Sequence, residues 1–265
     1  MHVTPATLVD RRDGLVTVTF NRPDKKNALN ASNWSDLQEI LTEMEVDPGA
    51  RALVLTGAGD NFSSGADLSG DQSNGLTGHG RQLVLHEMRI VGRIIRRLQQ
   101  LPKPTIAAVD GVAVGVALGL ALACDLILAT DRARFIEVFV QRGLALDGGT
   151  SWSLPRSVGL RRAKQMTFFG DPLDAEKALE WGLVNEVVAP DDLASTAEAW
   201  GRRLASGPTT ALSLIKSLLD AGSISSLDDA IEDEARAQHI AYTTDDMAEG
   251  IRAFFERRGP RFTGS

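Results

Sequence analysis

The chain has one cysteine in 265 residues, which excludes an internal disulfide framework and a multi-cysteine zinc site. That residue, Cys124, lies in an apolar run beside Asp125 and reads as a buried, inert thiol. Histidine is scarce too. His2, His79, His86 and His239 include no pair at metal-ligand spacing backed by a third ligand, so no metal is expected. Positive charge is in deficit, with 28 Lys and Arg against 35 Asp and Glu. A formal charge of −7 offers no general attraction for nucleic acid or an anionic membrane. Long hydrophobic runs are missing as well. The most apolar stretch, Gly111 to Cys124, is bounded by Asp110 and Asp125 and is too short to span a bilayer. Met1 to Gly14 has no signal-peptide core, so a cytoplasmic location is expected. No internal repeat, low-complexity tract or long linker divides the chain.

What is present suits an ordinary globular protein, at 43% hydrophobic and 24% charged residues, long enough for one large core or one domain with a helical appendage. Thr7–Asp10 and Leu15–Phe20 flank Asp13-Gly14, a hairpin signal. Trp34, Leu37, Ile40, Leu41 and Met44 recur at helical spacing, with Asn30 or Ser32 as the cap and Asp47-Pro48-Gly49 as the stop. Ala52–Thr56, Thr105–Val109 and Leu126–Ala129 read as strands. A long helix is expected over Arg81–Gln100, with Val84, Met88, Val91, Ile95 and Leu98 on one face. Ser69–Gly80 is expected to be a mobile loop. After Gly170 the pattern turns helical, over Asp174–Trp181, Asp191–Ser206, Pro208–Ala221, Ser226–Thr243 and Asp245–Arg258, with a short strand near Val184–Val188.

Three blocks carry a resemblance. They are Asn21-Arg22-Pro23 with Asn27-Ala28-Leu29, then Asn61-Phe62-Ser63-Ser64-Gly65-Ala66-Asp67, then Lys103-Pro104-Thr105-Ile106-Ala107-Ala108-Val109-Asp110-Gly111. In order and spacing the chain resembles the crotonase (enoyl-CoA hydratase/isomerase) superfamily over nearly its whole length. The resemblance implies an α/β fold, a spiral of repeated strand-strand-helix units (ClpP-like) over residues 1–190. A C-terminal helical region over 191–265 would make trimer contacts. It implies an acyl-CoA thioester substrate with no separate cofactor, and a homotrimer or dimer of trimers.

The same resemblance assigns roles. The backbone N–H groups of Ala66 and Val116 would form an oxyanion hole for the thioester carbonyl, with Gly115-Val116-Ala117 standing where the family has a glycine triplet. Small residues after a buried strand let backbone donors approach a ligand closely. The two glutamates of family hydratases fall at Gly119 and Phe139, and neither residue transfers a proton. Asp147 matches an aspartate of several family isomerases, and that of a dehalogenase whose other positions match less well, with Phe139 and Gly92 where it has an indole donor and a histidine. The alternative for Asp147 is an N-cap of a helix entering Thr150–Arg156. Glu137 is the nearest other carboxylate. Strand alternation would put it on the Phe139 face, and surface or inter-subunit pairing is its expected role. Asp67 would fix its loop. Lys25, Lys26, Ala28, Gly65 and Leu68 lie where the family meets coenzyme A, and Phe254 and Arg257 where the C-terminus completes the site. Solvated surface charge is the plain reading of Lys25, Lys26 and Arg257. His86 is the one histidine near the site. An isomerase moving a proton with Asp147 is the favoured activity. A hydratase with a non-standard acid or base and a non-catalytic acyl-CoA-binding subunit are the alternatives.

Overall fold

The computed structural model describes residues 5–69 and 81–265, so His2, His79 and the expected loop beyond Ser69 lie outside the described residues. The chain runs β1 (Thr7–Arg12), β2 (Leu15–Phe20), α1 (Ala31–Val46), β3 (Ala52–Gly57), α2 (Arg81–Gln99), β4 (Thr105–Val109), β5 (Val112–Val114) and α3 (Val116–Leu122). It continues through β6 (Leu126–Thr130), β7 (Arg134–Ile136), α4 (Thr150–Val158), α5 (Leu160–Phe169), β8 (Leu173–Asp174), α6 (Ala175–Glu180) and β9 (Glu186–Val188). Four helices end it: α7 (Leu193–Ala205), α8 (Thr209–Gly222), α9 (Leu227–Ala241) and α10 (Asp245–Glu256).

The hairpin forms as expected, with β1 antiparallel to β2 and Asp13-Gly14 both at positive φ, as a tight primed turn requires. From β2 onward the large sheet is parallel, in the order β1-β2-β3-β4-β6-β9. A second layer holds β5-β7-β8 and is extended by isolated bridges, Ser63 to Ala113 and Leu29 to Ala66. Four stretches of chain therefore follow one plan: a strand in the large sheet, a pairing in the second layer, then a helix. They are β2–Leu29–α1, β3–Ser63/Ala66–α2, β4–β5–α3 and β6–β7–α4. This is the expected spiral.

Period-2 alternation splits the central strands between two apolar clusters. Val16, Val18, Leu53, Leu55, Ala107 and Val109 face α1, α2 and α3, whereas Leu15, Val54, Ile106, Ala108 and Leu128 face α7. The first helix of the expected C-terminal region thus covers the back of the sheet. α1 settles its cap on Asn30, whose Oδ1 accepts the Asn33 N–H at 3.1 Å while Asn33 Oδ1 accepts the Asn30 N–H at 3.1 Å. On α2 the expected face is only partly buried. Ile95 and Leu98 are buried, but Met88 is exposed because packing on the core begins further along the helix, with the partly buried Ile90 and Val91.

The loop between β2 and α1 hangs on Asn27, fully buried at φ 55°. Its Oδ1 accepts the Arg22 N–H at 2.9 Å, and its Nδ2 donates to the Ala58 and Asn61 carbonyls at 2.9 and 2.6 Å. Asn27→Ala removes all three bonds and leaves a left-handed φ that alanine tolerates poorly. A loss of about 2–4 kcal/mol is expected from hydrogen bonds and desolvation, to be measured by the denaturant midpoint; an unshifted midpoint would show that the loop does not depend on this side chain.

Candidate active site

Ala66 sits where backbone pairing leaves its own N–H free. Its bridge to Leu29 is parallel and uses the neighbouring groups: Leu29 N–H donates to the Gly65 carbonyl at 2.8 Å, and Asp67 N–H donates to the Leu29 carbonyl at 2.9 Å. In such a pairing the Ala66 N–H points away from Leu29. Ser63 ties the same loop to β5, accepting the Val114 N–H at 3.1 Å and donating its own N–H to the Val112 carbonyl at 2.9 Å. The loop therefore lies beside the residues that open α3.

Val116 is the first residue of that helix, a position whose N–H has no intrahelical acceptor. The positive φ of this turn, 55°, falls on Gly115, not on Val116. A β-branched side chain at 116 is thus compatible with the backbone. The buried Phe139 ring covers Gly115, its Cζ 3.3 Å from where a Cβ there would lie.

The acidic side of the site is set by a backbone-to-backbone contact. A Cβ on Gly119 would lie 2.5 Å from the Gly148 carbonyl oxygen, so Gly148 fills the space a larger residue 119 would need. A Cβ on Gly148 would in turn lie 3.4 Å from the Val116 Cα. Asp147, the preceding residue, is thereby carried to the start of α3. Its backbone carbonyl accepts the Thr150 N–H at 3.2 Å and the Thr150 hydroxyl at 2.9 Å. Its side chain caps nothing: Gly149 is the N-cap of α4, with no side-chain cap bond. Asp147 is half-buried, its Oδ1 has no partner among the described residues, and burial pushes its pKa up to about 6.

Glu137 departs from its expected surface role. It is 0% exposed, and neither carboxylate oxygen has a partner among the described residues. The chain leaves β7 at Ile136 and winds into a 3-10 turn over Val138–Arg142, so strand alternation does not govern residues 137–139. The turn drives Glu137 inward. Burial first, then the charge of Asp147, pushes its pKa up to about 8, and Thr150 opposes this only weakly because its hydroxyl is given to the Asp147 carbonyl.

Around this centre, Asp67 fixes its loop as expected. The Ser69 hydroxyl at 2.6 Å and N–H at 2.9 Å, then the Arg22 guanidinium at 2.7 Å, hold its carboxyl far below the usual range. Arg22 also donates to the Ala28 carbonyl at 2.6 Å, a strut that the sequence did not single out. Lys25 reaches the Ser69 hydroxyl at 2.8 Å, Lys26 is exposed, and Leu68 is exposed beside them. His86 is exposed on α2. Phe254 is 78% exposed and Arg257 is exposed at the left-handed end of α10; no hydrogen bond or ion pair among the described residues joins them to this centre. Cys124 is buried, with its thiol pushed up to about 12 by burial. An open cleft between the sheet and α7, lined by Thr17, Val54, Ala108 and Ala197, contains none of the site residues.

A two-layer spiral of strand, second-layer pairing and helix is the architecture of crotonase-fold enzymes. The crystal structure of enoyl-CoA hydratase from Bacillus anthracis matches it with a TM-score of 0.92 at 31% identity, over 98% of this chain and 100% of that one. The chain belongs to the enoyl-CoA hydratase/isomerase family, whose model matches residues 10–265. It is 40% identical over 251 residues to 1,2-epoxyphenylacetyl-CoA isomerase of Escherichia coli (strain K12), covering 95% of each. It is 34% identical over 252 residues to short-chain-enoyl-CoA hydratase of Clostridium acetobutylicum, again covering 95% of each.

The contact between Gly119 and Gly148 makes a definite demand. Gly119→Ala is expected to cost about 1–3 kcal/mol through overpacking, read as a lowered Tm, and to move the segment that carries Asp147. Gly119→Glu is expected to gain no hydratase activity, because backbone occupies the space its side chain would enter. Efficient hydration by that variant would show that the loop yields freely.

Proposed function

We propose that this protein is an acyl-CoA isomerase that moves a proton with Asp147 while the Ala66 and Val116 N–H groups hold the thioester oxygen. The observation that carries the reading is the Asp147 carboxyl, half-buried with an unpartnered oxygen and held at the start of α3 by the Gly148 contact. As a carboxylate, Asp147 takes a proton from a carbon acidified by the thioester. The electron pair left behind runs into the carbonyl, and the oxyanion so formed accepts the two N–H bonds. Neutral Asp147 then returns the proton to a second carbon, the carbonyl re-forms, and the double bond has moved with no gain or loss of atoms. One aligned oxyanion donor contributes about 3 kcal/mol to such a transition state. The two positions that carry glutamates in family hydratases hold Gly119 and Phe139 here, which argues against water addition by that route.

Hydration by an unusual acid or base remains the second reading, because Glu137 is a further buried carboxyl beside Asp147. Lys25 and Lys26 are inferred to meet the coenzyme A phosphates, in the cytoplasm. Phe254, Phe255, Ile231, Leu219 and Ile215 are large apolar side chains exposed on α8–α10. Their burial between copies is the basis for inferring a homotrimer, for which light scattering is expected to give three times the chain mass; a monomer would remove it.

The activity is tested with a panel of acyl-CoA thioesters read by chromatography and mass spectrometry. The panel spans straight-chain and aromatic enoyl groups with both double-bond positions, and the ring epoxide named for the Escherichia coli relative. A changed retention time at unchanged mass is expected. A gain of one water would favour the hydratase, and binding without product a non-catalytic role. Asp147→Asn is expected to bind acyl-CoA and lose about 10²–10⁴ in turnover. Wild-type turnover is expected to rise as pH rises through about 6, where Asp147 ionises. Turnover unchanged by Asp147→Asn would remove this residue from the mechanism.

A further inference from the structure

Glu137 is a carboxyl that this proton transfer leaves unused. It is fully buried where β7 gives way to the 3-10 turn, and both its oxygens are without a partner among the described residues. An ionised carboxylate in that setting has nothing to offset its lost hydration. A neutral carboxyl there has an O–H to give and needs an acceptor. Both carboxyls border the Gly115-Val116 turn, since Gly115 N–H donates to the Ile136 carbonyl at 2.8 Å and a Cβ on Gly148 would lie 3.4 Å from the Val116 Cα. Among the described residues the charged group acting on Glu137 is Asp147, whose own Oδ1 is a buried acceptor without a donor. Thr150, the other polar side chain at Glu137, gives its hydroxyl to the Asp147 backbone carbonyl at 2.9 Å. The site thus holds one orphan donor and one orphan acceptor, on neighbouring carboxyls.

We propose that Glu137 is the positioning partner of Asp147: its neutral carboxyl donates its O–H to Asp147 Oδ1, fixing the carboxylate and stabilising the form that accepts the substrate proton. The two are not hydrogen-bonded in the structure, so the pairing requires a side-chain rotation that closes the gap. The inference rests on the reading of Asp147 as the proton carrier. A donor to the ionised form lowers an acid's pKa, so its removal raises that of Asp147. Ionisation of Glu137 near pH 8 ends the donation and sets two like charges side by side.

The test is the pH profile of turnover for wild type, Glu137→Gln and Glu137→Leu. Glu137→Leu removes the donor, so its acidic limb is expected about one unit higher. Turnover is then roughly tenfold lower on that limb, near pH 6 and below, and recovers at higher pH. Glu137→Gln keeps an N–H donor that does not ionise in this range. It is expected to retain the wild-type acidic limb and to lose the wild-type fall above pH 8. A merely structural Glu137 would leave both limbs where they are, and that result overturns the proposal. Asp147→Asn separates the two readings. Turnover retained in that variant sinks the Asp147 mechanism and the pairing with it. Turnover lost there, with limbs unmoved by either Glu137 variant, sinks the pairing alone.

Thermal melts give a readout independent of turnover. At pH values below about 4.5, the ordinary value, Glu137 is protonated in both folded and unfolded chains. Between there and about 8 only the unfolded chain releases the proton, so wild-type stability falls as pH rises. Glu137→Gln has no such proton, and its Tm advantage over wild type is expected to widen across that window. A constant difference would mean that Glu137 is ionised in the folded protein, which also overturns the proposal.

Discussion

Two glycines, Gly119 on α3 and Gly148 ahead of α4, meet backbone to backbone, and the chemistry of this protein depends on that contact. The Gly148 carbonyl occupies the volume that a side chain at 119 would need. Helix α3, which Val116 opens, therefore contributes no acid or base from that position. The same contact draws the residue before Gly148 to the start of α3, and that residue is Asp147. One steric fact thus removes a carboxylate from one element and supplies another from a different one. Thr150 secures the exchange by bonding the Asp147 backbone carbonyl, which leaves the side chain uncommitted.

The site gathers two carboxyls in a part of the molecule that offers them few hydrogen-bond partners. Glu137 and Asp147 stand against apolar walls, and three of their four carboxylate oxygens are buried without partners. Asp67, a few ångströms along the oxyanion loop from Ala66, shows the opposite treatment. It receives two bonds from Ser69 and a guanidinium from Arg22, and so stays ionised and inert. A fully satisfied carboxylate holds a loop; a starved one holds a proton. The difference between structural and reactive acids here is the number of donors each meets, not the residue type. The parallel strands beneath are buried on both faces by helices.

Much of this was legible in the sequence. The hairpin followed from Asp13-Gly14, the strands from short apolar runs, and the helices from periodicity and caps, because these signals act within a few residues of themselves. The three blocks pointed to the spiral, which the structure bears out, because they mark the turns where one strand-and-helix unit passes to the next. The surface or inter-subunit role expected for Glu137 failed because nothing local in the sequence marks where the chain leaves β7 at Ile136 for a 3-10 turn, which buries Glu137 as it buries Phe139. Asn27 and Arg22 were not legible as struts, since their partners at Ala58, Asn61 and Asp67 lie about 30 to 45 residues away. Met88 failed for a related reason: periodicity defines a helix face but not how far along the helix the core extends.

Backbone donors and side-chain acids answer differently to substitution, and this explains how hydratases and isomerases share a family. An N–H group survives any replacement but proline, provided the chain path is kept. Here Gly115 keeps that path by taking the positive φ, and Val116 then presents the same donor a glycine would. The capacity to hold a thioester oxyanion, as proposed for Ala66 and Val116, is therefore one that the spiral's backbone path would supply. Acids and bases belong to single side chains, and one replacement removes them. Overall likeness to relatives of both names consequently identifies the family and not the reaction, which in the proposed mechanism rests on a few side chains. In the proposed mechanism those positions are Gly119, Phe139, Glu137 and Asp147, and of these four only the last two have a side chain that can carry a proton.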